Sequence, residues 1–350
     1  MATLTETAYI TRNSIKFGAI GLVVFLILKV IWGIFSSWWI IANPPPPPPP
    51  TVSFGKLPPI NFPTKTDLPK LTYKLETIEG TAPKLDSVGS VYISVIPEAK
   101  FLSLEKIKAT AARMGFTQEP QALENQKYRF TSPINQATVL DIDKVTGDFR
   151  LVFDFTGDPT VISEKKLPNN DQAIAEAKSF LQGAGVYEKD IETGTGVVSY
   201  LKYQAPNLVS AISLSEADFV KVALYRANLN NLKIVEENPL NPYISFIISG
   251  NRQREKHLIE ANYHYNQIDR EKSATYPLKT SSAAWQELQS GKGFIASLGE
   301  NQDGQITIRK ISMAYFDSRS PQNFLQPVFV FEGDKNFFAY VSALDPKWVE

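Results

Sequence analysis

The sequence predicts an α+β fold: an N-terminal single transmembrane helix, then antiparallel sheets each packed by a short helix, in repeated helix plus β-hairpin units. Three observations lead there. Phe17 to Ile41 carries a single charge, Lys29, in a run longer than the roughly 20 apolar residues that cross a bilayer. From Leu71 onward, β-branched and aromatic residues recur in short alternating runs bounded by Gly, Asn, Asp or Pro, the mark of half-buried strands. Three short stretches with apolar residues at helical spacing are each followed by such runs, without the regular strand-helix alternation of a doubly wound parallel sheet.

Residues 1–14 form the expected cytoplasmic tail and residues 15–42 the span. Arg12 and Lys16 precede it, and the next basic residue on the far side is Lys56. The positive-inside rule therefore places the N-terminus in the cytoplasm and the bulk of the chain outside. A cleaved signal peptide has an apolar core of about 7–15 residues ending in small side chains. This run ends in Trp38, Trp39, Ile40 and Ile41, an interfacial aromatic belt, so a retained anchor is expected, with the lipid bilayer as partner of residues 15–42.

Lys29 stands out, because a lysine near the centre of a span costs about 2.5–3.5 kcal/mol unless it is partnered or snorkels. At about 100° per residue, Gly18, Leu22, Phe25, Gly33 and Ser36 lie within about 40° of it. Gly18, Lys29, Gly33 and Ser36 are thus a candidate transmembrane contact face for another membrane protein. The competing reading slides the helix so that Lys29 snorkels to the inner boundary.

Asn43 is followed by Pro44 to Pro50, then Pro58, Pro59, Pro63 and Pro69. Consecutive prolines hold polyproline II at about 3.1 Å per residue, roughly 22 Å for the heptad. Residues 43–70 are expected to form a stiff spacer.

A first α+β unit is expected over 71–165. It comprises strands at Leu71 to Ile78 and Ser90 to Ile96, a helix from Ser103 to Met114 closed by Gly115, and strands at Tyr128 to Phe130, Thr138 to Ile142 and Phe149 to Phe155. The last two join through Lys144 to Asp148, where Gly147 supplies a positive φ. Residues 166–350 are expected to form a second and third unit. Their helices start at Asn170 and Ser282, and their strands are 197–204, 219–226, 232–235, 243–249, 258–268, 306–316, 327–331 and 337–343.

Leu140 to Ile142 with Thr146, Gly147 and Asp148 resembles the hairpin of PepSY-type modules in exported bacterial proteins. The C-terminal run resembles the YycH/YycI group: Ala284-Trp285 with Leu288, Gly291 and Gly293, then Met313 to Phe316, Gln326 to Phe329 and Phe338 to Ala343. That resemblance implies a single-span, extracytoplasmic accessory protein of a cell-wall sensor kinase. The matched positions belong to core and turns, so they speak to fold before activity.

Composition narrows the chemistry. Lys plus Arg and Asp plus Glu are 36 each, so no basic footprint for nucleic acid exists. Zero cysteines exclude disulfides, thiolate catalysis and Cys-ligated zinc. Ser103-x-x-Lys106, Ser163-x-x-Lys166 and Lys279-Thr280-Ser281 echo penicillin-interacting enzymes, but Ser103 sits where a helix N-cap belongs. Asp141, Asp143, Gly147 and Asp148 lack the spacing of a calcium loop. Period-two alternation puts His257 and His264 on opposite faces of one strand. Glu236 and Glu237, beside Asn238-Pro239, read as a solvated acidic turn and not as a glycosidase pair. No catalytic, cofactor-binding or metal set emerges. The expected function is a non-enzymatic binding or regulatory module for an envelope or membrane partner, and the alternative is an exported envelope hydrolase.

Overall fold

The computed structural model describes residues 4–42, 49–65, 68–98 and 103–350 and divides the chain at Pro49/Pro50. In the first unit α1 spans Leu4–Ala42. Its segment Ile15–Trp39 is long and apolar enough to cross a membrane, and none of it is buried by protein. Phe35 meets Trp32, Trp38 and Trp39 at ring-centroid distances of 6.3, 6.1 and 6.0 Å, as side chains three and four apart on a helix must.

The second unit holds two sheets and its elements alternate between them. β1 (Thr72–Leu75) and β2 (Val88–Ser94) come first, then α2 (Ser103–Arg113) and strands β3 (Gln121–Ala122), β4 (Lys127–Thr131), β5 (Thr138–Asp143) and β6 (Phe149–Phe153). The short α3 (Thr160–Ser163), the longer α4 (Asn170–Ala184) and the short α5 (Lys189–Glu192) lead to β7 (Thr195–Gln204), β8 (Asn207–Ser210) and β9 (Phe219–Tyr225). β10 (Lys233–Val235), β11 (Ile244–Ser249), α6 (Arg254–His257), β12 (Leu258–Tyr263) and β13 (Ile268–Pro277) follow. The chain closes with α7 (Ser281–Gln289), β14 (Phe294–Ser297), β15 (Gln305–Phe316), β16 (Phe324–Gly333) and β17 (Phe337–Ser342).

The nine-stranded sheet runs β3-β4-β5-β6-β12-β11-β9-β7-β8, antiparallel throughout. One face takes α2 and α4: Ile107 and Ala111, with Ala173, Ala177 and Leu181, pack on Phe130, Leu140, Phe149 and Phe246. The small alanines let α4 approach the sheet closely. Asn169 caps it by accepting from the Gln172 N–H, Gln172 returns the bond to the Asn169 N–H, and Gly185 ends it at φ 75°, where a side chain would be strained. β6 pairs with β12, so one sheet spans the expected boundary at residue 165.

The second sheet is eight-stranded, β1-β15-β16-β17-β14, with β10 also on β15 and β2 joining β13 to β16. Ala284 and Leu288 of α7 pack on it with Phe331 and Val341. Two of its pairings, β1 and β10 on β15, are parallel, against the expectation of antiparallel strands alone. The expected strand 258–268 is two strands, β12 and β13, split at 264–267. The charges Arg270, Glu271 and Lys272 hide β13 from a pattern search by looping out, where its register with β2 jumps between Asp269 and Ser273.

The spacer differs most from expectation. Of its proline heptad, Pro44 to Pro48 lie outside the described residues, and from Thr51 the arm is docked. The Val52 N–H donates to the Thr275 carbonyl (3.0 Å), the Leu57 N–H to the Trp348 carbonyl (2.9 Å) and the Glu350 N–H back to Leu57 (2.9 Å). Leu57 and Ile60 are buried, and Phe62 stacks on Phe294 at 5.2 Å. Apolar residues interspersed among the prolines turn the second half of the expected rod into a strap. Leu57→Ala in the full chain in detergent is therefore expected to cost about 2–5 kcal/mol of unfolding free energy. An undocked spacer would leave the urea midpoint unchanged.

Candidate functional site

The chain passes from one sheet to the other between β2 and β3, β9 and β10, β10 and β11, and β12 and β13. The last three crossings bring Arg226, Glu236, Tyr243 and 264–267 to one junction. Backbone leaving a sheet loses its ladder partners, so side chains must supply bonds there.

Arg226, the residue after β9, is buried. Its Nε donates to Asp190 Oδ2 of α5 (2.8 Å), and its Nη1 donates to Asp317 Oδ2 beyond β15 (2.8 Å) and to the Asn266 carbonyl (3.0 Å). The guanidinium lies over the Tyr265 ring at 4.3 Å, and the Tyr265 hydroxyl donates to Asp190 Oδ1 (3.0 Å). Asn266 Nδ2 donates to Asp317 Oδ1 (2.7 Å) and lies 3.2 Å from His264 Nε2, while His264 Nδ1 meets Asp148 Oδ2 at 2.6 Å. A continuous polar chain thus runs from the β5–β6 turn to α5.

Glu236 sits beside this chain and is buried, which corrects the expected solvated turn. One carboxylate oxygen accepts the Tyr243 N–H, and Glu237 takes the Arg319 N–H (3.0 Å). Burial pushes the Glu236 carboxyl up to about 8, nearby Asp317 adds to the rise, and the Tyr243 N–H, Arg226 and Arg319 oppose it. The same burial raises the Tyr243 hydroxyl. The charge inventory has the same sense. Asp190 and Asp317 hold the guanidinium directly, and Glu236 has no bond to it, so it is the carboxyl that keeps its proton.

Other sequence candidates separate. His257 ends α6, with Nε2 2.9 Å from Glu176 Oε2 and Nδ1 2.9 Å from the Asn251 carbonyl, and His264 lies past the end of β12. The two are not on one strand, because residues 254–257 turn helical before it. Asp141 is bonded to Arg129 (2.7 Å) and Asp143 caps its own turn through Val145 N–H (2.8 Å). Lys279 pairs with Glu287 (2.7 Å), Thr280 caps α7, Ser281 donates to the Pro83 carbonyl, and Ser163 donates to Thr160. Among the described residues no group of three His, Asp or Glu side chains is placed to hold a metal. On α1, Gly18 and Gly33 have open space over their backbones, and the Ser36 and Ser37 hydroxyls both donate to the Gly33 carbonyl (3.0 and 2.8 Å).

Sequence reasoning missed the junction. Only the Arg226, Asp190 and Asp317 charges at strand and helix ends hinted at it. It also missed a cleft of about 330 Å³ beside β15, lined in part by Asp86, Asn231, Lys233, Lys310 and Glu332.

No family model matches this chain, and no curated protein matches it in sequence. Among solved structures, the chain is similar to the crystal structure of an uncharacterized protein from Eubacterium rectale ATCC 33656. The two share 11% identity over 74% of this chain and 84% of that chain, with a TM-score of 0.42.

The raised Glu236 carboxyl has a signed consequence. Its ordinary value is 4.5 and its folded value about 8, so within that window the unfolded chain releases a proton that the folded one keeps. Its contribution is fully present below the unfolded value and is lost as pH rises to the folded value, at up to about 1.4 kcal/mol per pH unit. Glu236→Gln should flatten this part of the urea-stability profile. Parallel profiles for the two proteins across the window would count against a protonated Glu236.

Proposed function

We propose that this chain is a single-pass protein of the cell membrane, its N-terminus in the cytoplasm and residues 50–350 outside, acting as a non-enzymatic binding or regulatory module for an envelope or membrane partner. One observation carries the anchor. The segment Ile15–Trp39 has none of its apolar surface covered by protein, and a helix that is apolar all round needs hydrocarbon around it. The Arg12/Lys16 flank supports the orientation. The binding role is supported by the YycH/YycI and PepSY resemblances and by the structural bonds that engage Thr280, Ser281 and Lys279. In this reading the helices α2, α4 and α7, each with strands after it, are variants of one helix plus hairpin unit. Extracytoplasmic reporters fused after residue 70 should be active and cytosol-only reporters silent; the converse pattern would reverse the orientation.

The contact face Gly18, Lys29, Gly33 and Ser36 is the proposed meeting point with another membrane protein. Ser36 already bonds its own helix, so Lys29 and the open Gly33 backbone carry the contact. Lys29→Leu removes the polar attraction and Gly33→Ile blocks close approach. Both should lower cross-linking in native membranes relative to Val30→Leu. Equal cross-linking in all three would leave α1 as a tether with a snorkelling lysine.

A further inference from the structure

The cleft beside β15 coincides with a break in the eight-stranded sheet. β16 pairs along one edge of β15, from Ile308 to Phe316. The other edge is shared by two short parallel strands: β1 covers Gln305 to Ile308 and β10 covers Ala314 to Phe316. Arg309 forms the bulge between them and its guanidinium ties Glu76, just after β1, to Asp334. Among the described residues no strand pairs with residues 310–313 on this side.

The orientation of the free groups follows from strand alternation. The Asp317 N–H donates to Val235 of β10 (2.8 Å), and main-chain groups two residues apart face the same edge. Ile311 therefore presents its N–H and C=O to the break and Met313 its N–H, because Lys233, opposite Ala314, takes the Met313 carbonyl. The bulge at Arg309 restores the phase for Ile308, whose carbonyl accepts the Glu76 N–H (2.9 Å). The walls are the β1–β2 loop with Leu85 and Asp86 and the β9–β10 connector with Asn228 and Asn231.

We infer that this break is a peptide-binding site, filled by three or four residues of an extended polypeptide that pair with the Ile311 and Met313 main chain. Four residues span about 13 Å, and edge addition draws its affinity from such main-chain bonds. The lining sets the side-chain preference. Leu85 and Met313, partly buried, pack against the apolar core below, whereas Lys310, bridged to Glu332 at 3.1 Å, and Lys233 and Asp86 offer both signs of charge. An occupant with alternating apolar and polar uncharged side chains suits both. This site rests on the binding-module reading but not on the membrane orientation, so its test and the reporter fusions fail independently.

The probe is acetyl-Thr-Val-Thr-Val-amide, titrated into the full chain in detergent micelles and followed by residue-resolved amide exchange. Ile311 and Met313 should exchange faster than Lys310 and Ser312 in the free protein and become protected with peptide. The fully N-methylated peptide should bind at least about tenfold more weakly, since it has no donors. Met313→Pro, which removes one edge N–H and leaves the β16-facing groups intact, should weaken binding by about fivefold or more. Equal binding of the N-methylated peptide, no peptide binding, or binding that leaves both amides exposed would overturn the assignment. Protection that rises with protein concentration alone would give the edge to a second copy and also overturn it.

Discussion

The Arg226 guanidinium is the constraint on which the arrangement of residues 50–350 depends. A buried cation is costly by several kcal/mol, and the cost is offset only by close partners and hydrogen bonds. Each partner here arrives on a different piece of chain: Asp190 from α5, Asn266 from the β12–β13 connector and Asp317 from the end of β15. Separating the two sheets would strand the guanidinium and at least one carboxylate together. Removing one partner of such a buried set typically costs about 3–5 kcal/mol. The cluster thus selects one relative placement of the sheets, and it does so where the chain crosses most often. Burial beside the cluster raises the Glu236 carboxyl, and nearby Asp317 adds to the rise, so the proton on that side chain is part of the same balance.

The proline-rich arm obeys a second constraint. Proline has no N–H to give to a ladder, and the described residues of the arm form no strand of either sheet. It docks through its other residues: Thr51 and Val52 bond Thr275, Phe54 and Gly55 bond the Tyr276 hydroxyl, and Leu57 bridges to the last residues of the chain. The N- and C-terminal ends of this unit therefore share one buried site at Leu57.

Local chemistry was legible in the sequence, and long-range chemistry was not. Phe17 to Ile41, the Gly147 turn and helices α2, α4 and α7 are written in short-range signals: a long apolar run, a positive φ, caps and helical spacing. Strands β5 and β6 show the same period-two pattern in sequence as in burial, and β9 and β11 are near-continuous apolar runs buried along most of their length. β13 escaped because Arg270 to Lys272 bulge out of register, and the parallel contacts of β1 and β10 escaped because short strands carry no mark of direction. Glu236 read as solvated because a run of Glu, Glu, Asn and Pro is usually a surface turn. Its carboxyl is buried at the sheet crossing, where it accepts the Tyr243 N–H and feels the charges of Asp317 and Arg226, which lie 81 and 10 residues away and have no local signature.

β15 shows how the same principle governs an edge. An unpaired strand edge is a template for any extended chain, and natural sheets blunt it with charge, bulges or brevity. All three surround residues 310–313: the Lys310–Glu332 pair beside the floor, the Arg309 bulge, and β1 and β10 closing the break at either end. A long strand from another molecule would collide with β1 or β10 before it could pair along β15. A short one meets no such obstacle, because the blocked lengths lie outside the Ile311 main-chain groups and the Met313 N–H. The protection against aggregation and the access for a short peptide therefore come from one piece of geometry, the interruption of a sheet edge by two short parallel strands.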